Sequence, residues 1–225
     1  YSSLTNTENL ISFDMGGTTA KMCLIDGGQP DRKHDFEAGR VRRFQKGSGL
    51  PLKVSVVDMI EIGAGGGSLA WVGRAGLLKV GPQSAGAFPG PACYGRGGDT
   101  ATSTDANAVL GRLDPQFKLG GDVEIQLDAA RDAVAKISAE LGFSAERTAS
   151  GILDIMNSNM ANAIRAKTVQ KGIDPRGFSL VAFGGAGPLH GAEVADLLGI
   201  PEVVVPPHPG ITSAGGLLTT DLKYD

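Results

Sequence analysis

The chain has 225 residues, 24 Asp and Glu against 21 Lys and Arg, a formal net charge of −3, and 41% hydrophobic residues. That balance gives no basis for attraction to nucleic acid or acidic lipid, while the apolar content suffices for one large domain or two small ones. No apolar run reaches the roughly 18–20 residues of a membrane span, no signal peptide opens the chain, and Cys23 and Cys93 make no disulfide framework, so a cytoplasmic setting is expected.

Tyr1 opens the chain and a strand signal already runs by residue 10, the pattern of an excerpt from a longer polypeptide. Glycine is the compositional outlier, 34 of 225 residues, where about 7% is usual. It clusters without a collagen-like period, which predicts tight loops and close backbone approach.

The stretch 9–26 predicts a hairpin. Leu10-Ile11-Ser12-Phe13 reads as a strand, ends on Asp14, breaks into Gly16-Gly17-Thr18-Thr19, and resumes through Lys21, Met22, Cys23 and Leu24. The two glycines permit a tight turn and leave no Cβ between backbone N–H groups and a ligand, and the threonine hydroxyls suit phosphate oxygens. Asp14 is placed to hold a hydrated Mg²⁺ carried by such a phosphate. An ordinary hairpin turn is the alternative.

Gly27-Gly28-Gln29-Pro30 closes the second strand, and the polar stretch 31–49 predicts a solvated edge strand or loop. A third strand is expected from Leu52 to Ile62, where Val54, Val56, Val57 and Ile60 are β-branched. Gly63-Ala64-Gly65-Gly66-Gly67-Ser68 follows. Ser68 stands where a dinucleotide fingerprint needs its third glycine, and Leu69 to Val72 reads as strand, so that motif is rejected. A structural hinge and a ligand-approach loop both stay open. From Gly73 to Gly121 the composition predicts an ordered, irregular insertion, since Trp71, Leu77, Leu78, Val80, Phe88, Tyr94, Val109, Leu110 and Leu113 are available for burial. Cys93 has no cysteine or histidine at metal spacing, which favours a buried thiol over a nucleophile or ligand.

A helix is predicted over 128–141, with Asp128 as N-cap, Ala130, Val134, Ile137 and Leu141 on one face, and Gly142 at its stop. A second runs from about Ser144 to Lys171, with Ile152, Met156, Met160 and Ile164 at helical spacing. Ser158, Asn162 and Arg165 share another face, either solvated or touching substrate or a partner lobe. A strand over Phe178 to Phe183 leads into Gly184-Gly185-Ala186-Gly187 and a helix from Leu189 to Leu198, with Pro188 in the first turn. Strand, Gly-Gly-x-Gly, helix lets an adenine or ribose lie on bare backbone at an electropositive helix start, or serves close strand–helix packing. Glu202 to Val205 is a last strand, His208 is structural, and Ile211 to Leu222 is a last helix. Nucleotide P-loop, zinc-protease, nucleophile-elbow and paired-cysteine motifs do not occur.

The order hairpin, strand, long helix, strand, helix is βββαβα, followed by a last strand. It resembles one lobe of the α/β actin, sugar kinase and Hsp70-like (ribonuclease H-like) fold, carrying a large irregular insertion. The wording resembles the hydantoinase A / 5-oxoprolinase family more closely still. The matching segments are Phe13-Asp14-Met15-Gly16-Gly17-Thr18, Gly63 to Ser68, Val80 to Gly98 with its Gly90-Pro91-Ala92-Cys93-Tyr94-Gly95-Arg96-Gly97-Gly98, Thr104-Asp105-Ala106-Asn107, Leu110 to Leu113, and Phe183-Gly184-Gly185-Ala186-Gly187-Pro188-Leu189-His190.

The resemblance implies that residues 1–225 form one lobe, with a core at about 9–62 and 144–225, the insertion and a helix at about 63–143, and the N-terminal lobe outside the chain. It implies an ATP-dependent hydrolase that phosphorylates and opens a cyclic amide such as hydantoin, N-methylhydantoin or 5-oxoproline. A ketone carboxylase subunit and a partner-docking module are the alternatives. By the same resemblance Asp14, Gly16, Gly17, Thr18 and Thr19 take the phosphate and Mg²⁺ role, and Gly184, Gly185, Ala186 and Gly187 the adenosine role. His190 is a catalytic candidate by position alone. Many relatives read Asp-Met-Gly-Gly-Thr-Ser-Thr-Asp, whereas Thr19-Ala20-Lys21 stands here, so Lys21 replaces a second carboxylate and offers phosphate a cation. The implied partners are a small cyclic amide, a second subunit of the hydantoinase B type and the N-terminal lobe, and the excerpt alone is expected to be inactive.

Overall fold

The computed structural model describes residues 2–39, 41 and 47–218. After a short helix α1 (Ser2–Thr5), the predicted hairpin forms from β1 (Leu10–Met15) and β2 (Ala20–Asp26), antiparallel and with Asp14 opposite Lys21. Alternation assigns their faces. Ile11, Phe13 and Met15 join Ala20, Met22 and Leu24 in the core, and Ser12, Asp14 and Lys21 point to the other side.

Next come β3 (Gln29–Pro30), β4 (Arg32–Ala38), β5 (Leu50–Val57) and β6 (Met59–Ile62). The expected single strand over 52–62 is thus two strands, and part of the polar stretch before it is a strand as well. β5 leaves the main sheet to pair with β4 as a two-stranded ribbon, while β6 pairs with β2. The break falls at Asp58, whose N–H donates to Asp31 O at 2.7 Å and whose carboxylate meets Lys33 and Lys167. There the chain passes from pairing with β4 to pairing with β2, with the carboxylate held between the two lysines. Residues 40 and 42–46 of the polar stretch lie outside the described residues.

The segment expected to be irregular holds more regular structure than its composition suggests. β7 (Ser68–Val72) and β8 (Leu78–Ser84) form a second ribbon, followed by helix α2 (Ser103–Val109). Helix α3 (Leu127–Leu141) begins one residue earlier than predicted, after Gln126, and ends on Gly142 at φ 69°. Helix α4 (Ala145–Gln170) starts at Ser144, whose hydroxyl accepts from the Arg147 N–H. Then β9 (Ser179–Phe183), helix α5 (Gly187–Leu198), β10 (Glu202–Val204) and helix α6 (Thr212–Leu218) follow. The predicted last helix agrees over 212–218; Ile211 ends a preceding 3-10 turn instead, and 219–222 lie outside the described residues.

The main sheet runs β10-β9-β1-β2, with β3 and β6 sharing the outer edge of β2. β1, β9 and β10 are parallel to one another. Helices α4 and α5 cover one face through Ile152, Met156, Met160, Ile164 and Val194, all at most 2% exposed. Each such side chain contributes about 1.5–3 kcal/mol on burial, so this layer fixes the β1–β2 hairpin rigidly beneath its turn.

Candidate functional site

Three glycine loops, far apart in sequence, meet at the turn between β1 and β2. The turn closes with Gly16 N–H donating to Thr19 O at 3.0 Å. From one side the loop 63–67 rises to it: Gly66 N–H donates to Gly16 O at 3.0 Å and Gly67 N–H to Gly17 O at 2.7 Å. A Cβ on Gly65 would fall 2.6 Å from Gly17 O and from Thr18 C, so only glycine permits this backbone contact. The motif left open as hinge or ligand loop is therefore a brace for the turn. From the other side Ala186 N–H donates to Met15 O at 2.9 Å. Gly184 adopts φ +84°, and a Cβ there would lie 2.5 Å from Asp14 Oδ1. The two motifs singled out in the sequence, 14–19 and 184–187, are thus joined directly.

What this arrangement leaves open is specific. Gly17, Thr18 and Gly185 are exposed, and a Cβ on Gly17 or Gly185 would meet nothing within 4 Å. Asp14 sits at the base of the turn, half-buried, and accepts a hydrogen bond from the Ser213 hydroxyl at 3.3 Å. Lys21 lies between Asp14 on β1 and Glu61 on β6 in strand register. Thr19 is half-buried beside it.

The 63–67 loop has its own support, which the sequence reading missed. Thr102 and Asp105 form a reciprocal capping box at the start of α2. The Asp105 carboxylate also accepts from the N–H groups of Ala92 and Cys93, at 3.3 and 2.8 Å. From this helix the Ser103 hydroxyl donates to Gly65 O at 2.7 Å, and the Thr104 N–H and hydroxyl donate to Gly66 O at 2.9 and 2.7 Å. The Thr102-x-x-Asp105 spacing was the available signal. Cys93 is fully buried, and burial together with the neighbouring Asp105 pushes its thiol well above the ordinary range, in keeping with a structural thiol.

His190 does not open on the turn. It is fully buried, with Nδ1 2.7 Å from Asn157 Oδ1 and Nε2 3.4 Å from Asn107 Nδ2. Burial pushes its pKa down to about 4, so the ring is neutral. Asn157 Nδ2 donates in turn to Glu193, which Arg112 also holds. On the predicted polar face of α4, Arg165 is spent within the chain, donating to Asn162 Oδ1 at 2.7 Å and Leu197 O at 2.9 Å.

The model of the hydantoinase/oxoprolinase family matches residues 1–225. The chain is 45% identical to an uncharacterized protein of Methanocaldococcus jannaschii, over 100% of this chain and 33% of that protein. It is similar to the crystal structure of the ATP-dependent caprolactamase from Pseudomonas jessenii, with 37% identity and a TM-score of 0.84 over 99% of this chain and 31% of that one. It is also similar to the nucleotide-free structure of an acetone carboxylase, with 31% identity and a TM-score of 0.86 over 99% of this chain and 30% of that one. The chain thus spans about a third of the length of these three proteins. With the family model matching its whole length and its fold shared with two relatives, this chain belongs to the hydantoinase/oxoprolinase family.

Proposed function

We propose that this chain is one lobe of an actin-like ATPase whose whole enzyme phosphorylates and opens a cyclic amide. The observation that carries it is the double bracing of the Gly16–Gly17 turn, from 63–67 and from 184–187, with Asp14 at its base and Gly17 and Gly185 left bare. The strand order, with an antiparallel hairpin flanked by two parallel strands, supports the actin-like reading.

The residues fit the groups this reading requires. Bare backbone at Gly17, hydroxyls at Thr18 and Thr19, and the cation of Lys21 suit phosphate oxygens. The loop Gly184, Gly185, Ala186 and Gly187 offers a side-chain-free surface for adenosine. Among the described residues no three acidic, cysteine or histidine side chains gather for a metal. A single carboxylate, Asp14, is what Mg²⁺ takes when phosphate oxygens and water complete its shell. Held by these residues, ATP would supply a γ-phosphoryl group for the amide oxygen, leaving the ring carbon more open to water. This chain's part is to hold the phosphates still and balance their charge.

The N-terminal lobe and a subunit of the hydantoinase B type would complete the site, in the cytoplasm. No described helix is long and apolar enough to cross a membrane. Similarity to an acetone carboxylase supports a second reading, carboxylation of a ketone. Bicarbonate-dependent ATP turnover with a ketone, absent with lactams and hydantoins, would select it.

The test is calorimetric titration of ATP·Mg²⁺ into the whole protein, beside Asp14→Ala and Gly185→Val. Binding is expected in the wild type and a loss of roughly 10-fold or more in each variant, with folding intact. Silence in the wild type would overturn the ATPase reading and promote the docking module.

A further inference from the structure

A chain of hydrogen bonds runs from the surface through the protein to the turn, and His190 stands at its centre. On the outer side, Arg112 donates to Glu193 at 2.5 Å, and Asn157 Nδ2 donates to the same carboxylate. His190 Nδ1–H donates to Asn157 Oδ1 at 2.7 Å. On the inner side, Asn107 Nδ2 lies 3.4 Å from His190 Nε2 and donates to Ser103 O at 3.0 Å. The Ser103 hydroxyl donates to Gly65 O and Gly66 O, at 2.7 and 2.9 Å, and Gly66 N–H reaches Gly16 O of the turn.

The direction of these bonds is determined. Glu193 accepts only, so Asn157 must turn its amide N–H₂ outward and its oxygen to His190. That requires a proton on Nδ1 and a lone pair on Nε2, which faces the Asn107 N–H₂. Every donor meets an acceptor only with a neutral imidazole in this one tautomer. Asn107 Oδ1 is buried with no hydrogen-bond partner, so Asn107 is held by its N–H₂ end alone. The polar atoms connect three helices, α5 through His190, α4 through Asn157 and α2 through Asn107. Of these, α2 carries the hydroxyls that support the brace.

We propose that His190 is a positioning residue for the phosphate-facing turn: it fixes α2 against α4 and α5, and thereby sets the height of the loop 63–67 beneath Gly16 and Gly17. This rests on the nucleotide reading above for its consequence, although not for its geometry. His190 touches neither the turn nor any group upon it, so it acts through Asn107 and Ser103 rather than in the chemistry.

The experiment uses the whole protein and two readouts, amide hydrogen exchange by segment and ATP·Mg²⁺ affinity. His190→Leu and Asn107→Ala each remove the link while His190→Gln, whose amide offers an N–H₂ donor and a carbonyl acceptor, can replace it. In the first two variants exchange over 63–68 and 14–20 is expected to quicken roughly 10-fold, with α3 unchanged and nucleotide affinity lowered to a similar degree. His190→Gln should recover both to within about threefold. Should His190→Leu fail to fold, Asn107→Ala alone decides. Unchanged exchange at 14–20, a uniform quickening of the whole chain, or no recovery with Gln would overturn the proposal. If wild type binds no ATP and exchange still responds in this pattern, the positioning role stands and the nucleotide reading falls.

Discussion

Two polar clusters hold the long helix α4, and they do so by opposite means. Near its middle Asn157 enters the buried, neutral network of His190 and Asn107. At its C-terminal end Lys167 and Lys171 meet Asp31 and Asp58, with Lys33 completing the group. The first cluster is dry, directional and without spare partners. The second is charged and redundant, each carboxylate being shared by two or more lysines, with side-chain exposure from 10% at Lys167 to 42% at Lys33. A neutral network specifies geometry because one missing partner leaves a buried group unpaired. A charged group tolerates exchange of partners, which suits the joint where the β4–β5 ribbon leaves the sheet.

The largest expected difference follows from removing α4's member of each cluster. Asn157→Leu strips the buried His190 of the acceptor for its Nδ1–H, and about 3 kcal/mol should be lost in urea unfolding at pH 7. A loss smaller than that of Lys167→Met would invert the comparison.

Acid separates the clusters without mutation. Burial holds His190 at a pKa of about 4 against 6.5 when unfolded. The folded state therefore refuses a proton that the unfolded chain accepts. The stability that this neutral ring contributes is complete above about pH 6.5 and declines by about 3 kcal/mol as the pH falls through 4. Asp58 behaves in the other carboxylate window. Burial acts to raise its pKa, but bonds from Lys167 and Lys33 outweigh it and hold the group at about 2. Its contribution is complete above about pH 4 and is lost as the pH falls through 2. Unfolding free energies measured from pH 7.5 to 2 should show the upper loss in wild type and not in His190→Gln, while Asp58→Asn flattens only the lower part.

How much of this was legible beforehand follows from the range of each interaction. The β1–β2 hairpin and helices α3 and α4 announced themselves through local periodicity and caps, Ser144 and Gly142 among them. Helix α2 was hidden because it buries Ser103, Thr104, Asp105 and Asn107 where an apolar stripe is the usual sign. The break at Asp58 was hidden because the change of strand partner there, from β4 to β2, is tertiary, and Lys167, which holds the Asp58 carboxylate, lies 109 residues away. At the site, the glycines of 14–19 and 184–187 were recognisable from their local pattern. That Gly65 exists for Gly17 was not, since a close backbone approach leaves no trace in the glycine that permits it. His190 was noticed for its place beside a glycine motif, yet its partners Asn107 and Asn157 come from two other helices.

The smallest effect belongs to the charged cluster and is the most diagnostic of redundancy. In Lys167→Met the aliphatic stem, which shares the lining of a small cavity with Cys23 and Ile164, is largely kept, while the ammonium is lost. Asp58 retains Lys33 at 2.9 Å, and Asp31 retains Lys171. A loss of about 1 kcal/mol is expected, well below that of an unpaired buried charge, because water and the remaining lysines reach both acids. The same substitution made in a Lys33→Met background removes the remaining cation beside Asp58 except Lys171 at 3.9 Å. There the loss should exceed the sum of the two single variants, as a shared carboxylate loses its last close partner. Raising salt should shrink these differences while leaving that of Asn157→Leu unchanged. Strict additivity, or a salt response at Asn157, would show that the two clusters hold α4 by the same physics.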